Sequence, residues 1–334
     1  MKTVSVIIVN YNGDGSVLDC LKSLERQDFK DFEVLIVDNA SADNSLDEIV
    51  RFLKREPLGS ITKLVPLETN RGFGGGNAEA LKLAGSEYIA LLNNDTAPDK
   101  EWLGKLVRQM ELDPQVGICA SKLISDGSNV IDSAGDGFST CLRGFKRREG
   151  KAASLFNREE HVFGACAGAA LYRRKMIDEI GFLDEDFFLI HEDTDLNLRA
   201  QLHDWKVLYV PTAIVYHKVR STIGPMSNPA VYYTLRNSEL VRIKNIPWAV
   251  FLRCLPEFFI GIVTEFFYFA IKHRRLKLYF KAKIDAIRML PCMLKKRSVI
   301  MKNRKVSNTY LLNIMTPVWQ KNFFATKIKK FLHA

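Results

Sequence analysis

No two of the six cysteines (Cys20, Cys119, Cys141, Cys166, Cys254 and Cys292) stand at C-x-x-C spacing. That argues against zinc ribbons and thioredoxin-type redox motifs. Several lie in apolar runs, which reads as free buried thiols in a reducing compartment. No uncharged apolar run approaches the ~18 residues of a membrane span. The most apolar stretch, WAVFLRCLPEFFIGIVTEFFYFAI, is broken by Arg253, Glu257 and Glu265. The opening MKTVSVIIVNYNG lacks the apolar core and the small-residue cleavage site of a signal peptide. The glycine stretch NRGFGGGNAEA is not followed by Lys-Ser/Thr, so it is no P-loop. It is a poor dinucleotide fingerprint too, since Asn77 takes the third glycine's place. Acid is scarce at one end. From Lys272 to Ala334, 17 of the 48 Lys and Arg face a single acid, Asp285. The first 271 residues therefore hold 31 bases and 37 acids, a mildly acidic body before a strongly basic tail. Such a tail suits an anionic partner, either nucleic acid or a membrane surface.

What is present is an alternation. The 334 residues allow about two domains. VSVIIV (4–9) is a continuous β-branched run, the pattern of a strand buried on both faces. FEVLIVDN, a weaker ITKLVPLE, YIALLNND and VGICASKLI read as four more strands. Helical spacing follows the first strand at Val17, Leu18, Leu21 and Leu24. Ser45 with Glu48 reads as a capping box before a second helix. AEALKLA begins a helix after the glycine loop, and another runs from Asp99 to about Leu112. Strands alternating with helices of this length predict an α/β fold with a mostly parallel sheet and helices on both faces. Residues 126–160 read as a long loop. EDTDLNLRAQLHDW reads as a helix, with KVLYVP and AIVYHK as two strands after it.

Ligands of such sheets bind at the carboxyl ends of the strands. Those ends are Asn10-Tyr11-Asn12, Asp38-Asn39, Asn70-Arg71 and Asn93-Asn94-Asp95, all polar, and two carry acids. Asp38 either caps its own turn or accepts from a pyrimidine N–H. The glycines from Gly72 either make a turn or let backbone approach a ligand. In HEDTDLNLR, Asp195 and Arg199 stand at i,i+4 and pair along a helix. Its acids favour a helix N-terminus in any case. FFLI just before them supplies an apolar setting that would make one carboxylate a better base. His217 ends a strand-like run and is a further candidate.

Taken in order, VSVIIVNYNG, VLIVDNASADNS, NRGFGGGN, LLNND and FFLIHEDTDLNLRAQLHDWKVLYVPTAIVYH resemble the family 2 inverting glycosyltransferases. The rhamnosyltransferase-like branch of bacterial surface-polysaccharide enzymes is the nearest match. The resemblance covers roughly residues 3 to 240 and implies a GT-A-type, Rossmann-like fold. It implies that Asp38 reads the nucleobase of a nucleotide-sugar donor. Val9, Asn10, Tyr11, Asn39, Asn70, Arg71, Gly72, Asn77 and Asn94 are placed near that donor. Asp95 matches the metal-binding acid of the DxD motif, and His217 a histidine that joins the metal shell. Asp193 matches the catalytic base. Glu192 and Arg236, the latter in an Arg-Asn pair with Asn237, are placed near acceptor or phosphate. The implied cofactor is a divalent metal, Mn²⁺ or Mg²⁺. Asn93 stands where a first Asp is frequent, which weakens the metal site and favours Mn²⁺ beside an imidazole.

The function expected is inverting transfer of a sugar, rhamnose first, from a dTDP- or UDP-sugar to a hydroxyl of a polyprenyl-linked or polysaccharide acceptor. Another hexose donor (UDP-Glc, UDP-Gal or UDP-GlcNAc) is the alternative. A nucleotidyltransferase would need a basic Gly-rich loop after the first strand, and NYNGDG has no base. A nucleic-acid-binding protein would explain the basic tail alone, so no nucleic-acid partner is expected. Residues 1–245 read as the nucleotide-sugar and catalytic domain, and 246–334 as a helical, membrane-associating basic region. There Arg253, Glu257, Gly261, Thr264, Glu265 and Tyr268 share roughly a 120° band of a helical wheel. The opposite face is apolar, as in a core helix or an in-plane membrane helix. The expected location is cytoplasmic, peripheral on the inner face of the cell membrane.

Overall fold

The structure is a computed structural model that describes residues 2–13, 15–218, 224 and 226–319. The last four lysines of the basic tail, Lys321, Lys327, Lys329 and Lys330, lie outside the described residues.

The first strands are the continuous apolar runs of the sequence. β1 (Val4–Asn10), β2 (Phe32–Asp38), β3 (Thr62–Pro66) and β4 (Tyr88–Leu92) pair in parallel in the order β3-β2-β1-β4. Between them run α1 (Ser16–Glu25), α2 (Ser45–Arg55) and α3 (Gly72–Leu81). Two apolar clusters form, one around Val6, Ile36 and Trp102 and one around Ile7, Leu35 and Leu91. Adjacent strand residues fall in different clusters because successive side chains point to opposite faces.

Beyond β4 the sheet departs from the simple alternation. β5 (Thr96–Pro98) and α4 (Trp102–Leu112) precede β6 (Val116–Ser125), the expected fifth strand. It does not sit next to β4. The fully buried β11 (Ala169–Arg173) runs antiparallel between β4 and β6. The two expected strands after the EDTD helix are one, β12 (Lys206–His217), paired in parallel with β6 across a register shift.

The expected long loop at 126–160 is a set of short strands. β7 (Ile131–Ala134) pairs with β6, β8 (Asp136–Ser139) pairs with β9 (Arg143–Lys146), and β10 (Glu160–His161) pairs with β12. Four-residue segments such as IDSA carry no legible alternation, and the Lys146–Asp132 ion pair ties β9 to β7. The capping box does not form either. Asn44 precedes α2, and Ser45 turns its hydroxyl to Asp43 and Asn10. The glycine stretch is not a loop: α3 starts at Gly72.

α5 (Arg174–Ile180) and α6 (Glu192–Leu202) follow β11. α7 (Asn228–Asn245) is the long helix against which the C-terminal part is laid. The expected single amphipathic helix there is broken into α8 (Trp248–Arg253), α9 (Leu255–Glu265) and wider π-helical turns over Phe266–Lys272. α10 (Leu276–Arg288), α11 (Leu290–Lys302) and α12 (Asn308–Ile314) complete the described chain. A third apolar cluster joins Phe138, Phe187 and Leu198 to Val250, Met293 and Leu311. Among the described residues, no helix is long and apolar enough to cross a membrane.

Candidate active site

The strand ends converge as the sheet topology requires. Asn10 bridges them: its Nδ2 donates to Asp38 Oδ1 at 2.8 Å, and its Oδ1 accepts from Asn94 Nδ2 at 2.9 Å. Asp38 is buried and also takes Ser41 Oγ at 2.7 Å, so it does cap its own turn. Asn39 holds the next connection, donating to Asn70 Oδ1 (2.9 Å) and accepting from the Arg71 N–H (2.8 Å). Val9 and Tyr11 are half-buried at the same edge.

The glycines of α3 bring backbone close to backbone. Gly72 has φ +71°, and a Cβ there would stand 2.2 Å from the Phe188 carbonyl oxygen. A Cβ on Gly76 would stand 2.8 Å from Val9 Cγ1. The helix thus sits directly on β1 and under the turn at 184–188. Asn77 lies inside this helix, buried, with its Nδ2 on the Phe73 carbonyl at 2.8 Å. Arg71 pairs with Glu79 and Glu185.

Asp95 and His217 are far apart in sequence and adjacent in space. The reason is β5, whose Thr96 pairs with His217 of β12. His217 Nε2 lies 3.3 Å from Asp95 Oδ1, and its Nδ1 lies 2.9 Å from Asp132 Oδ2. Asp132 stands on β7 and also takes both contacts of Lys146 Nζ, at 2.7 and 2.8 Å. Burial alone would lower the His217 pKa, but its bonds to Asp132 and Asp95 win and lift it to about 9. Burial would likewise raise Asp132, yet His217 and Lys146 hold it down at about 2. Neither Asp132 nor Lys146 was singled out in the sequence. The one signal was an acid inside the otherwise small and apolar IDSA. Asn93, where a first acid was frequent, donates its N–H to the Gly168 carbonyl at 2.8 Å.

The acids of α6 divide into two kinds. Asp195 is fully buried and neutralised by Arg199 Nη2 at 2.7 Å and by Lys244 Nζ at 2.8 Å from α7. Its i,i+4 pairing with Arg199 is as expected. Burial pushes its pKa up, but the two cations dominate and hold it well below the usual range. It is a structural anion. Among the described residues no ion pair joins a cation to Asp193 or Glu192, though the Lys146 charge acts on Asp193. Burial raises Asp193. Burial and the Asp193 charge lift Glu192 to about 8, and the same two causes lift Asp136 to about 8. Three carboxyl groups therefore compete for charge, the kind of arrangement from which acid and base roles separate. Its Oδ1 accepts the Thr194 N–H at 2.6 Å, and its Oδ2 faces the Ala167 N–H at 3.5 Å. Ala167 and Gly168 are neighbours, so one short segment touches both Asp193 and the turn before Asp95.

Arg236 and Asn237 act on the backbone ahead of α6. Arg236 Nη2 donates to the carbonyls of Asp186 and Phe187 at 2.8 and 2.9 Å, and its guanidinium lies over Tyr233. Asn237 Nδ2 reaches the carbonyls of Phe187, Leu189 and Ile190. These contacts give the pair a partner that the sequence did not suggest.

The donor set fits a divalent cation in part. Asp95 offers a hard oxygen and His217 an imidazole oriented through Asp132, the carboxylate–histidine arrangement of metal sites. Among the described residues, no three His, Cys, Asp or Glu gather as a closed metal cage. Further ligands would have to come from a substrate's phosphates or water, as is usual for Mg²⁺-type sites.

The family model described as glycosyl transferase family 2 matches residues 5–181. A poly-beta-1,6-N-acetyl-D-glucosamine synthase of Staphylococcus epidermidis is 25% identical over 239 residues, 71% of this chain and 55% of that protein. The chain thus spans about half the length of the curated relatives it matches. TarS 1-349 of S. aureus, solved in complex with UDP-GlcNAc, aligns at TM-score 0.55 and 19% identity over 91% of this chain and 89% of that one. The mannosyltransferase PcManGT of Pyrobaculum calidifontis, in complex with GDP-Man and Mn²⁺, aligns at 0.53 and 16% identity over 99% and 85%. These structures share the GT-A-type fold, and none of the three relatives is described as a rhamnosyltransferase. With more than half of its length under the family model and a mostly parallel sheet of this type beneath it, the chain belongs to glycosyl transferase family 2.

Proposed function

We propose that this enzyme transfers a sugar, with inversion, from a UDP-sugar to a hydroxyl of a lipid-linked or polysaccharide acceptor. N-acetylglucosamine replaces rhamnose as the favoured sugar. That choice is supported by the names of two relatives, one a poly-N-acetylglucosamine synthase and one crystallised with UDP-GlcNAc. The observation that carries the reading is the contact of the 166–168 segment with both the Asp193 carboxylate and the turn before Asp95. That segment links the proposed proton acceptor to the proposed cation locus.

Asp38, Asn39, Asn10 and Asn94 form the rim against which the nucleoside is seated, with Val9, Tyr11, Asn70 and Arg71 around it. Gly72 and Asn77 shape this rim from α3. Asp95 and neutral His217 would hold Mn²⁺ or Mg²⁺. Bound there, the metal would act as a Lewis acid on the diphosphate as negative charge builds. Asp193 takes the proton from the acceptor hydroxyl, which attacks the anomeric carbon from the face opposite the diphosphate. The C–O bond to the diphosphate breaks, and one displacement inverts the centre. A glycosidase would need two carboxyls flanking the bond, whereas here the departing diphosphate needs no acid. Glu192, neutral beside Asp193, lies toward the acceptor side. Residues 1–245 form the catalytic part in this reading, and the region from 246 holds the enzyme peripherally at the membrane's inner face.

Asp193→Asn tests it. Transfer from UDP-GlcNAc should vanish while calorimetry with Mn²⁺ still shows donor binding. Turnover near wild type would remove Asp193 as the base. A thermal-shift panel in which a dTDP-sugar stabilises the protein and UDP-GlcNAc does not would overturn the donor.

A further inference from the structure

The helices after Pro247 bury part of their apolar surface against the protein and leave two apolar stripes outside. On α9, Glu265 faces the protein while Thr264 is exposed. Glu265 is buried and paired with Arg143 and Lys283. Gly261 lies against Cys141, whose Sγ donates to the Glu257 carbonyl at 3.0 Å. One row of apolar positions faces water, while Phe258, Phe266 and Phe269 pack inward. Leu255, Phe259, Val263, Phe267 and Ile271 recur every fourth residue along α9 and the π-helical turns, and Phe259 is 67% exposed. A second stripe, Leu276, Phe280, Ile284 and Ile287, runs along α10. The stripes meet where Phe266 packs between Phe267 and Phe280, with ring centroids 5.9 and 6.5 Å apart. A surface helix of a soluble protein turns its apolar face inward. Large apolar side chains exposed side by side mark an interaction surface.

We infer that this face docks on a bilayer with anionic headgroups. Charge selects that occupant. The exposed charges around the stripes are Lys272, Arg274, Lys277, Lys281 and Arg288, while Glu265 is buried and Asp285 is spent on Lys281 and Arg288. Two copies meeting face to face would bring like charges together, a costly arrangement. Anionic headgroups would neutralise them while the aromatic stripes enter the acyl boundary. The inference deepens the peripheral location proposed above, and it is tested by binding, without turnover, so that the catalytic reading can fail independently.

The test is co-sedimentation of the full chain with phosphatidylcholine vesicles, with and without phosphatidylglycerol. Binding is expected only with phosphatidylglycerol and should weaken as salt rises. Phe259→Glu with Phe267→Glu should lower partition by about a hundredfold or more, since each aromatic side chain kept in water costs at least about tenfold. Phe259→Leu should retain binding, and matching circular dichroism and thermal melts confirm that the variants fold. Lys277→Glu with Lys281→Glu should remove most of the salt dependence. The inference is overturned if the wild type ignores anionic vesicles, or if the double Glu variant binds as the wild type does. It is overturned equally if light scattering shows a dimer that Phe259→Glu dissolves, or if vesicles are bound only after the chain is truncated following Trp319.

Discussion

Asn237 is the residue on which the position of the proposed base depends. The turn that delivers α6 places three non-glycine residues at positive φ: Phe188 at 62°, Ile190 at 67° and His191 at 72°. Each costs roughly 1 kcal/mol or more against an ordinary conformation. The turn therefore holds only because something over-determines it. Asn237 is fully buried, and its one amide group meets the carbonyls of Phe187, Leu189 and Ile190 at 2.9, 2.7 and 2.6 Å. Its Oδ1 accepts from Arg236 Nε at 2.8 Å. Asn237→Ala removes these bonds; Arg236 still holds the Phe187 carbonyl, but those of Leu189 and Ile190 lose the amide at about 1 kcal/mol each, so with the lost bond from Arg236 the loss should be about 2–3 kcal/mol. Asn237→Asp keeps the volume and the bond from Arg236, but turns a carboxylate oxygen onto three carbonyls and should cost more than the alanine. Either loss is smaller than the ~5–15 kcal/mol that holds an ordinary domain together, so folded protein should remain. With the turn free to relax, Asp193 shifts, and a displacement of ~1 Å costs on the order of 10²-fold in kcat. Urea denaturation and a UDP-release assay read the two effects. A loss through instability alone would recover on cooling and leave the pH profile of kcat unshifted. A displaced base keeps the deficit when cold and moves the acidic limb. Wild-type stability and turnover in Asn237→Asp would refute the reasoning.

Asp132→Asn should lower Mn²⁺ affinity about 10–100-fold, because the asparagine orients His217 less firmly; electron paramagnetic resonance titration with UDP present measures it, and an unchanged titration removes Asp132 from the site. Without metal, the folded protein binds a proton at His217 more tightly than the unfolded chain does. Its stabilising contribution, on the order of 2–3 kcal/mol, is complete below pH ~6.5 and lost as pH rises through about 9. In EDTA, the thermal gap between wild type and His217→Gln should close over that window. Gly76→Ala should destabilise by about 1–3 kcal/mol through the clash with Val9, and a melt equal to wild type would show that α3 can shift.

The parts legible in the sequence were those whose signal is local. Parallel strands buried on both faces are continuous apolar runs, so β1, β2 and β4 stood out, and their polar ends were placed by the general rule for open α/β sheets. The pairing of Asp95 with His217 was reached only through resemblance, because it depends on three residues, Thr96–Pro98, adding to the end of β12. The carboxyl cluster was half seen. Asp193 and Glu192 lie together in sequence, but Asp136 comes from β8, a strand too short to announce itself. The glycines of α3 were misread as a loop because glycine is a poor helix former. Here their lack of a side chain is what lets the helix lie on Val9 and Phe188, and tertiary packing outweighs propensity.

The C-terminal helices show a different kind of illegibility. A helical wheel reports that one face is polar and the other apolar, and it is silent about which face meets the protein. The sign is set by partners elsewhere. Glu265 finds Arg143 on β9, and Lys283 joins Glu265 to Glu239, which pairs with Arg242 of α7. These groups can be buried only together, since a lone buried charge is far more costly than a paired one. So Glu265 of α9 is drawn inward, and Phe259 and Phe267 are left outside. The cluster also ends near the chemistry. Gly144, next to Arg143, is packed so closely on Thr194 that a Cβ would stand 2.9 Å from its Oγ1, and Thr194 donates its N–H to Asp193. One ionic cluster thus helps to fix the outward row of apolar side chains and, one residue from the proposed base, the hairpin that leans on the first turn of α6.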